Sequence, residues 1–179
     1  MNKRSRIWTI PNLLSLMRLL LLAPMLVLLG RGQRWAVFGL ALLGIAFDLS
    51  DGFLARKLNQ CSDLGRILDP VIDKTVTLSV SLFLVLSPLY GFPAWFFLFL
   101  LFREAAVLAG GLTVMRGRKM IPESNRAGKW SAFTTGFAVL FYIMDWQPFA
   151  FWLVCISFIL TLYSSFTYIK TFLAKMRAS

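Results

Sequence analysis

The chain has 179 residues, 58% of them hydrophobic, and 17 of them are phenylalanine. A soluble domain of this size needs more polar surface, so the composition favours an integral membrane protein. The net charge is +11, but the basic residues stand at the ends of apolar runs, which argues against nucleic acid as a partner. The chain has no histidine and two cysteines, so oxygen ligands must form any metal site, which favours Mg²⁺ or Mn²⁺.

Six apolar runs are long enough to cross a bilayer and predict an all-α integral membrane protein with a single domain over residues 1–179. The predicted transmembrane helices, in chain order, are 12–29, 35–58, 63–87, 93–116, 127–145 and 148–172. The first run carries Arg18 and Pro24 and lacks a small-residue cleavage site. We therefore interpret it as a retained helix and not as a signal peptide.

Lysine and arginine are concentrated in alternate connections between these helices. The N-terminal tail, the second and fourth loops and the C-terminal tail are basic, whereas the opposite side carries only Arg31 and Arg34. The positive-inside rule then predicts that both termini and the second and fourth loops are cytoplasmic. We expect a multi-pass protein of the cell membrane.

Four aspartates lie within the second and third predicted helices, where a carboxylate costs about 3 kcal/mol unless it meets water, a partner or a metal. Asp48 and Asp51 are three residues apart, and Asp69 and Asp73 are four apart, so each pair shares a helix face. An antiparallel turn near Gln60 brings both pairs to matching depths. We expect a site in the cytoplasmic half of the membrane, where two cations about 4 Å apart can also hold a phosphate.

Small and basic residues accompany the four aspartates. Gly52, Ala55 and Gly65 allow a neighbouring helix or a substrate to approach the backbone, and Arg56 suits a phosphate or carboxylate. One alternative is a structural ion-pair network with nearby lysines and arginines as counter-ions: Arg56, Lys57, Arg66 and Lys74. A divalent-cation transporter is a further alternative, although it predicts acidic residues across the full bilayer depth.

The spacing of these residues resembles the signature of the CDP-alcohol phosphatidyltransferase family at every fixed position, namely Asp48, Asp51, Gly52, Ala55, Arg56, Gly65, Asp69 and Asp73. The resemblance implies attack of an alcohol on the β-phosphorus of CDP-diacylglycerol, with release of CMP. It implies that Asp48, Asp51 and Asp69 bind two Mg²⁺ or Mn²⁺ ions and that Asp73 also lies near them as the base. It further implies that the four remaining positions bind the nucleotide and that the enzyme is a homodimer in the membrane.

The acceptor alcohol depends on other segments. Residues 10–18 resemble the opening of bacterial phosphatidylglycerophosphate synthases, as do Arg103-Glu104 and Gly128-Lys129, which implies glycerol 3-phosphate as acceptor. Its phosphate needs a basic pocket, for which the candidates are Arg103, Arg118, Arg126 and Lys129. Further pocket candidates are Asn12, Arg18 and Glu104.

Two features leave the acceptor open. Phe102 and Leu112 differ from the residues that those synthases usually carry at these positions. Cardiolipin synthases, which use phosphatidylglycerol as acceptor, share the aspartate motif. Inositol phosphate and serine transferases are further alternatives. Arg103 and Glu104 are adjacent and point in different directions, so we expect no ion pair between them.

Overall fold

The computed structural model describes residues 10–57, 63–118, 126–146 and 148–177. Within these ranges it describes no side chains for residues 10–12, 49, 51–57, 63–70, 108–118, 126–127, 168 and 171–177. The described residues form six α-helices and no strand: α1 (Ile10–Gly30), α2 (Arg34–Lys57), α3 (Asp63–Leu86), α4 (Ala94–Arg118), α5 (Arg126–Met144) and α6 (Phe149–Arg177).

The all-α prediction is confirmed, and all but one of the predicted helix ends lie within two residues of the observed ends. The exception is α6, which continues to Arg177 and not to residue 172. The apolar run that predicts this helix ends near residue 172, but the leucine, alanine, lysine, methionine and arginine that follow are all strong helix formers. Two of the helices contain stretches long and apolar enough to cross a membrane, Leu13–Gly30 and Phe149–Thr167. The six-span topology stays a prediction.

The chain divides into two compact units, Met1–Gly91 and Phe92–Ser179, and the single-domain organisation stays a prediction. In the first unit, α1 packs against both α2 and α3. Leu29, Val37 and Leu84, one from each helix, are fully buried and supply its apolar core. Helix α1 therefore contacts both of the helices that carry the motif.

The turn after α1 is stabilised by backbone and side-chain hydrogen bonds. The Gln33 N–H donates to the Leu28 carbonyl at 3.0 Å, and the Gly32 N–H donates to the Leu29 carbonyl at 3.0 Å. This is a Schellman motif, and Gly32 takes the left-handed position with φ 68°. The buried Tyr90 hydroxyl also donates to the Leu29 carbonyl, at 2.8 Å. Burial raises the pKa of Tyr90, and the nearby Arg34 guanidinium partly offsets this.

In the second unit, α6 packs against α5 and α4. Two pairs of buried hydroxyls join α5 to α6: Ser131 with Thr161, and Thr135 with Ser157, each with its two oxygens 2.6 Å apart. Further along, Ala138, Ala150 and Val154 are fully buried. Small and hydroxylated residues at this seam allow the two helix backbones to lie close together.

Aromatic rings and a second Schellman motif complete this unit. The Phe158 ring of α6 stacks edge-on against Phe99 of α4, with ring centroids 4.6 Å apart. At the end of α5 the Trp146 N–H donates to the Phe141 carbonyl at 3.1 Å. Here the left-handed position is taken by Asp145, with φ 60°, and not by glycine.

Candidate functional site

The four motif aspartates lie on two consecutive helices. Asp48 and Asp51 lie in the last three turns of α2, and Asp69 and Asp73 lie in the first three turns of α3. Because the helical backbone is continuous through each pair, the spacings of three and four residues place each pair on one face. The side chains of Asp51 and Asp69 lie outside the described residues, whereas those of Asp48 and Asp73 are both exposed.

The Asp48 carboxylate forms an ion pair with Arg18 of α1. Arg18 Nη1 donates to Asp48 Oδ1, and Arg18 Nη2 lies 3.4 Å from the Ser15 hydroxyl oxygen. The Arg18 side chain is only 7% exposed, whereas that of Asp48 is 56% exposed. Arg18 was predicted as a pocket residue, and the structure brings it to the first aspartate of the motif.

The counter-ions weighed from the sequence did not include Arg18. The sequence feature that could have identified Arg18 as the partner of Asp48 is its distance from the turn. Arg18 precedes the Gly32 turn by fourteen residues and Asp48 follows it by sixteen, so an antiparallel hairpin places them at similar heights. The same reasoning had been applied to the turn between α2 and α3, but not to the turn between α1 and α2.

The donor set fits a hard divalent cation. Carboxylate oxygens are the ligands that Mg²⁺ and Mn²⁺ prefer, and the Asp48 carboxylate is exposed while its Oδ1 accepts from Arg18. Among the described side chains, no three acidic, histidine or cysteine residues come together. The side chains of Asp51 and Asp69 lie outside the described residues, so the metal ligands stay a prediction.

The predicted nucleotide-binding positions continue the same two helices. Gly52, Ala55 and Arg56 lie in the last two turns of α2, and Gly65 lies in the first turn of α3. Their side chains lie outside the described residues. The motif therefore follows α2 to its end and resumes at the start of α3.

The expectation that Arg103 and Glu104 do not pair is wrong. Arg103 Nη1 donates to Glu104 Oε1 on α4, and the two side chains are 18% and 12% exposed. Their Cβ atoms do diverge, but the arginine side chain is long enough to curve back to its neighbour. In poorly solvated surroundings the pairing of two charges outweighs the entropy lost on fixing them.

Three of the four remaining candidates lie near the connection between α4 and α5. Arg118 is the last residue of α4, and Arg126 is the first residue of α5. Lys129 follows one turn later with an exposed side chain. Asn12 lies in the first turn of α1. The side chains of Asn12, Arg118 and Arg126 lie outside the described residues, so their roles stay predictions.

Comparison with known proteins shows similarity to one family of enzymes. The model of the CDP-alcohol phosphatidyltransferase family matches residues 8–163. The CMP-forming cardiolipin synthase of Streptomyces coelicolor is 38% identical over 140 residues, which covers 74% of this chain and 64% of the relative. The CDP-diacylglycerol–glycerol-3-phosphate 3-phosphatidyltransferase of Aquifex aeolicus is 39% identical over 132 residues, covering 73% and 71%.

A relative from Mycobacterium bovis, whose name provisionally assigns it to the cardiolipin synthases, is 39% identical over 142 residues. This match covers 77% of the chain and 65% of the relative. The chain thus spans just under two thirds of the length of the mycobacterial and Streptomyces relatives.

Proposed function

Because the chain belongs to the CDP-alcohol phosphatidyltransferase family, we propose that it transfers a phosphatidyl group from CDP-diacylglycerol to an alcohol in phospholipid biosynthesis. The acceptor hydroxyl attacks the β-phosphorus, a new P–O bond forms, and the P–O bond to the departing CMP breaks. The observation that carries this proposal is the placement of the eight motif positions on two consecutive helices, α2 and α3.

In this proposal Asp48, Asp51 and Asp69 hold the divalent ions, and Asp73 also lies near them. Two bound Mg²⁺ or Mn²⁺ ions would neutralise negative charge on the pyrophosphate and on the departing CMP. Asp73 takes the proton from the acceptor hydroxyl. The exposure of the Asp73 side chain supports this role, because a base must be reachable by the acceptor.

The nucleotide would lie along the ends of the two motif helices. Gly52, Ala55 and Gly65 lack bulky side chains, which allows the cytidine to approach the backbone. Arg56 would neutralise one of the phosphates. We expect the site to face the cytoplasm from within the membrane boundary, and we expect the enzyme to act as a homodimer.

An Asp73→Asn variant tests the proposed base. With Mg²⁺ or Mn²⁺ present, we expect the wild-type protein to release CMP from CDP-diacylglycerol when the acceptor is added. Asp73→Asn should lower this rate by at least about 100-fold, because general base catalysis contributes that much or more. Asp145→Asn is the matched control, since Asp145 lies in the turn after α5 and asparagine tolerates its left-handed backbone. Full activity in Asp73→Asn removes the assignment.

We favour glycerol 3-phosphate as the acceptor, with Arg103, Arg118, Arg126 and Lys129 as candidates to bind its phosphate. In the structure Arg103 already pairs with Glu104, so the carboxylate orients the guanidinium and also reduces its charge. If Arg103 binds the acceptor, Arg103→Gln raises the KM for glycerol 3-phosphate by about tenfold, the value of one charge-assisted hydrogen bond. The KM for CDP-diacylglycerol should stay the same.

Phosphatidylglycerol is the second candidate acceptor, because the Streptomyces relative is named as a cardiolipin synthase. Purified protein assayed side by side with glycerol 3-phosphate, phosphatidylglycerol, inositol phosphate and serine distinguishes them. CMP release that depends on glycerol 3-phosphate supports the first assignment. Release with phosphatidylglycerol alone replaces it with cardiolipin synthesis.

A further inference from the structure

The Arg18 side chain reaches from α1 to α2 and is held on two sides. Its Nη1 donates to Asp48 Oδ1, and its Nη2 lies 3.4 Å from the hydroxyl oxygen of Ser15, which is itself fully buried. Ser15 precedes Arg18 by one helical turn on α1, so it supports the guanidinium from the same helix. The position of the guanidinium is therefore determined by α1, and the carboxylate of α2 meets it there.

The two side chains of the ion pair differ in their exposure. Arg18 is 7% exposed, whereas Asp48 is 56% exposed, so the aspartate is the more accessible partner. The ion pair restricts the exposed Asp48 side chain to one orientation.

We propose that Arg18 is a positioning residue that orients the Asp48 carboxylate for a divalent cation. Arg18 Nη1 donates to Oδ1 of this carboxylate, and the Asp48 side chain is exposed enough for a cation to reach it. Carboxylates that bind metals are commonly oriented in this way by a hydrogen-bond donor, and loss of such a donor weakens metal affinity about 10- to 100-fold. This inference rests on the proposed role of Asp48 as a metal ligand.

A guanidinium beside the site also repels the cation, so the two effects must be compared. At a separation of about 6 Å in water, one positive charge weakens the binding of a divalent cation by about tenfold, and physiological salt, with a Debye length of about 8 Å, reduces this to about threefold. The orienting effect is expected to change it about tenfold or more in the opposite direction. Orientation is therefore the larger of the two effects.

The affinity for Mn²⁺ in the absence of nucleotide tests the inference. It is measured from the electron paramagnetic resonance signal of the free ion. The full chain in detergent micelles is titrated as wild type, Arg18→Gln, Arg18→Lys and Arg31→Gln. We expect Arg18→Gln to bind Mn²⁺ at least about tenfold more weakly. Arg18→Lys should be intermediate, because lysine keeps the charge but lacks the planar fork. Arg31→Gln removes the same charge from an exposed position at the other end of α1 and should bind like wild type.

Each outcome supports or refutes a distinct statement. Unchanged or tighter Mn²⁺ binding by Arg18→Gln refutes the positioning role, and tighter binding identifies Arg18 as a simple competitor of the cation. If wild-type protein binds no Mn²⁺, the metal assignment of the proposed function fails, and this inference fails with it. If Arg18→Gln does not fold, as judged by tryptophan fluorescence, Arg18→Lys decides, and wild-type affinity in that variant refutes the inference.

Discussion

The hydroxyl pair between Thr135 of α5 and Ser157 of α6 predicts an unequal response to two substitutions. The Thr135 hydroxyl donates its one proton to the Ser131 carbonyl at 2.8 Å. Because a hydroxyl has a single proton, Thr135 must accept from Ser157 across the 2.6 Å contact. The two partners therefore depend on each other to different degrees.

Removing Ser157 leaves Thr135 with its backbone acceptor, whereas removing the Thr135 hydroxyl leaves the fully buried Ser157 proton without this acceptor. We expect Ser157→Ala to lower the free energy of unfolding by about 0.6 kcal/mol, the average for hydrogen bonds between membrane helices. Thr135→Val keeps the side-chain shape and should lower it by about 1.5 kcal/mol, since it strands a buried donor. The double variant should cost less than the sum, by about 0.6 to 1.7 kcal/mol.

Unfolding in mixed micelles with increasing dodecyl sulfate, followed by tryptophan fluorescence, measures all four proteins. Thr134→Val is the matched control, because the Thr134 hydroxyl bonds only to backbone carbonyls of its own helix, of Trp130 and Ser131, each at 3.0 Å. It should stay within about 0.5 kcal/mol of wild type. Additive effects in the double variant, or a larger loss in Ser157→Ala than in Thr135→Val, contradict the assignment of donor and acceptor.

Two further predictions concern turns. Asp145 has φ 60°, so Asp145→Gly should be more stable than Asp145→Ala by about 1 kcal/mol, and because both variants lack the carboxylate, equal stabilities in thermal unfolding contradict a backbone cost. Tyr90→Phe removes the hydrogen bond to the Leu29 carbonyl and should cost about 1 kcal/mol. Because burial raises the pKa of folded Tyr90 above its unfolded value of 10.0, its contribution is complete below that pH and is lost as pH rises through the folded pKa. An alkaline decline equally steep in Tyr90→Phe argues against this origin.

Helix positions could be predicted closely because apolar runs and loop residues separate sharply in this chain. Gly32 marks the end of α1, and Pro93 and Pro148 stand just before α4 and α6. The end of α6 could not be found this way, because its last turns are amphipathic and no glycine or proline marks the stop. A helix that continues beyond an apolar run depends on propensity, which hydropathy does not measure.

The side-chain contacts of the candidate site were less predictable, because a long charged side chain can reach several partners. The sequence placed Asp48 on a helix face but did not identify Arg18 as its partner, because partner choice depends on how α1 and α2 pack. For Arg103 and Glu104, the direction of the Cβ atoms suggested separation, yet the flexible arginine turned back to its neighbour. Long side chains are poorly described by helix-face arguments, which fix only where a side chain begins.

The ion pair between α1 and α2 also has a consequence for biogenesis. Arg18 and Asp48 would each oppose insertion of their own helix by about 3 kcal/mol if that helix entered the membrane alone. The turn between the helices, Arg31–Gln33, is short enough for them to enter together, with the opposite charges already in contact. We therefore expect the translocon to release α1 into lipid only when α2 has emerged from the ribosome, so that the first two helices insert as a hairpin.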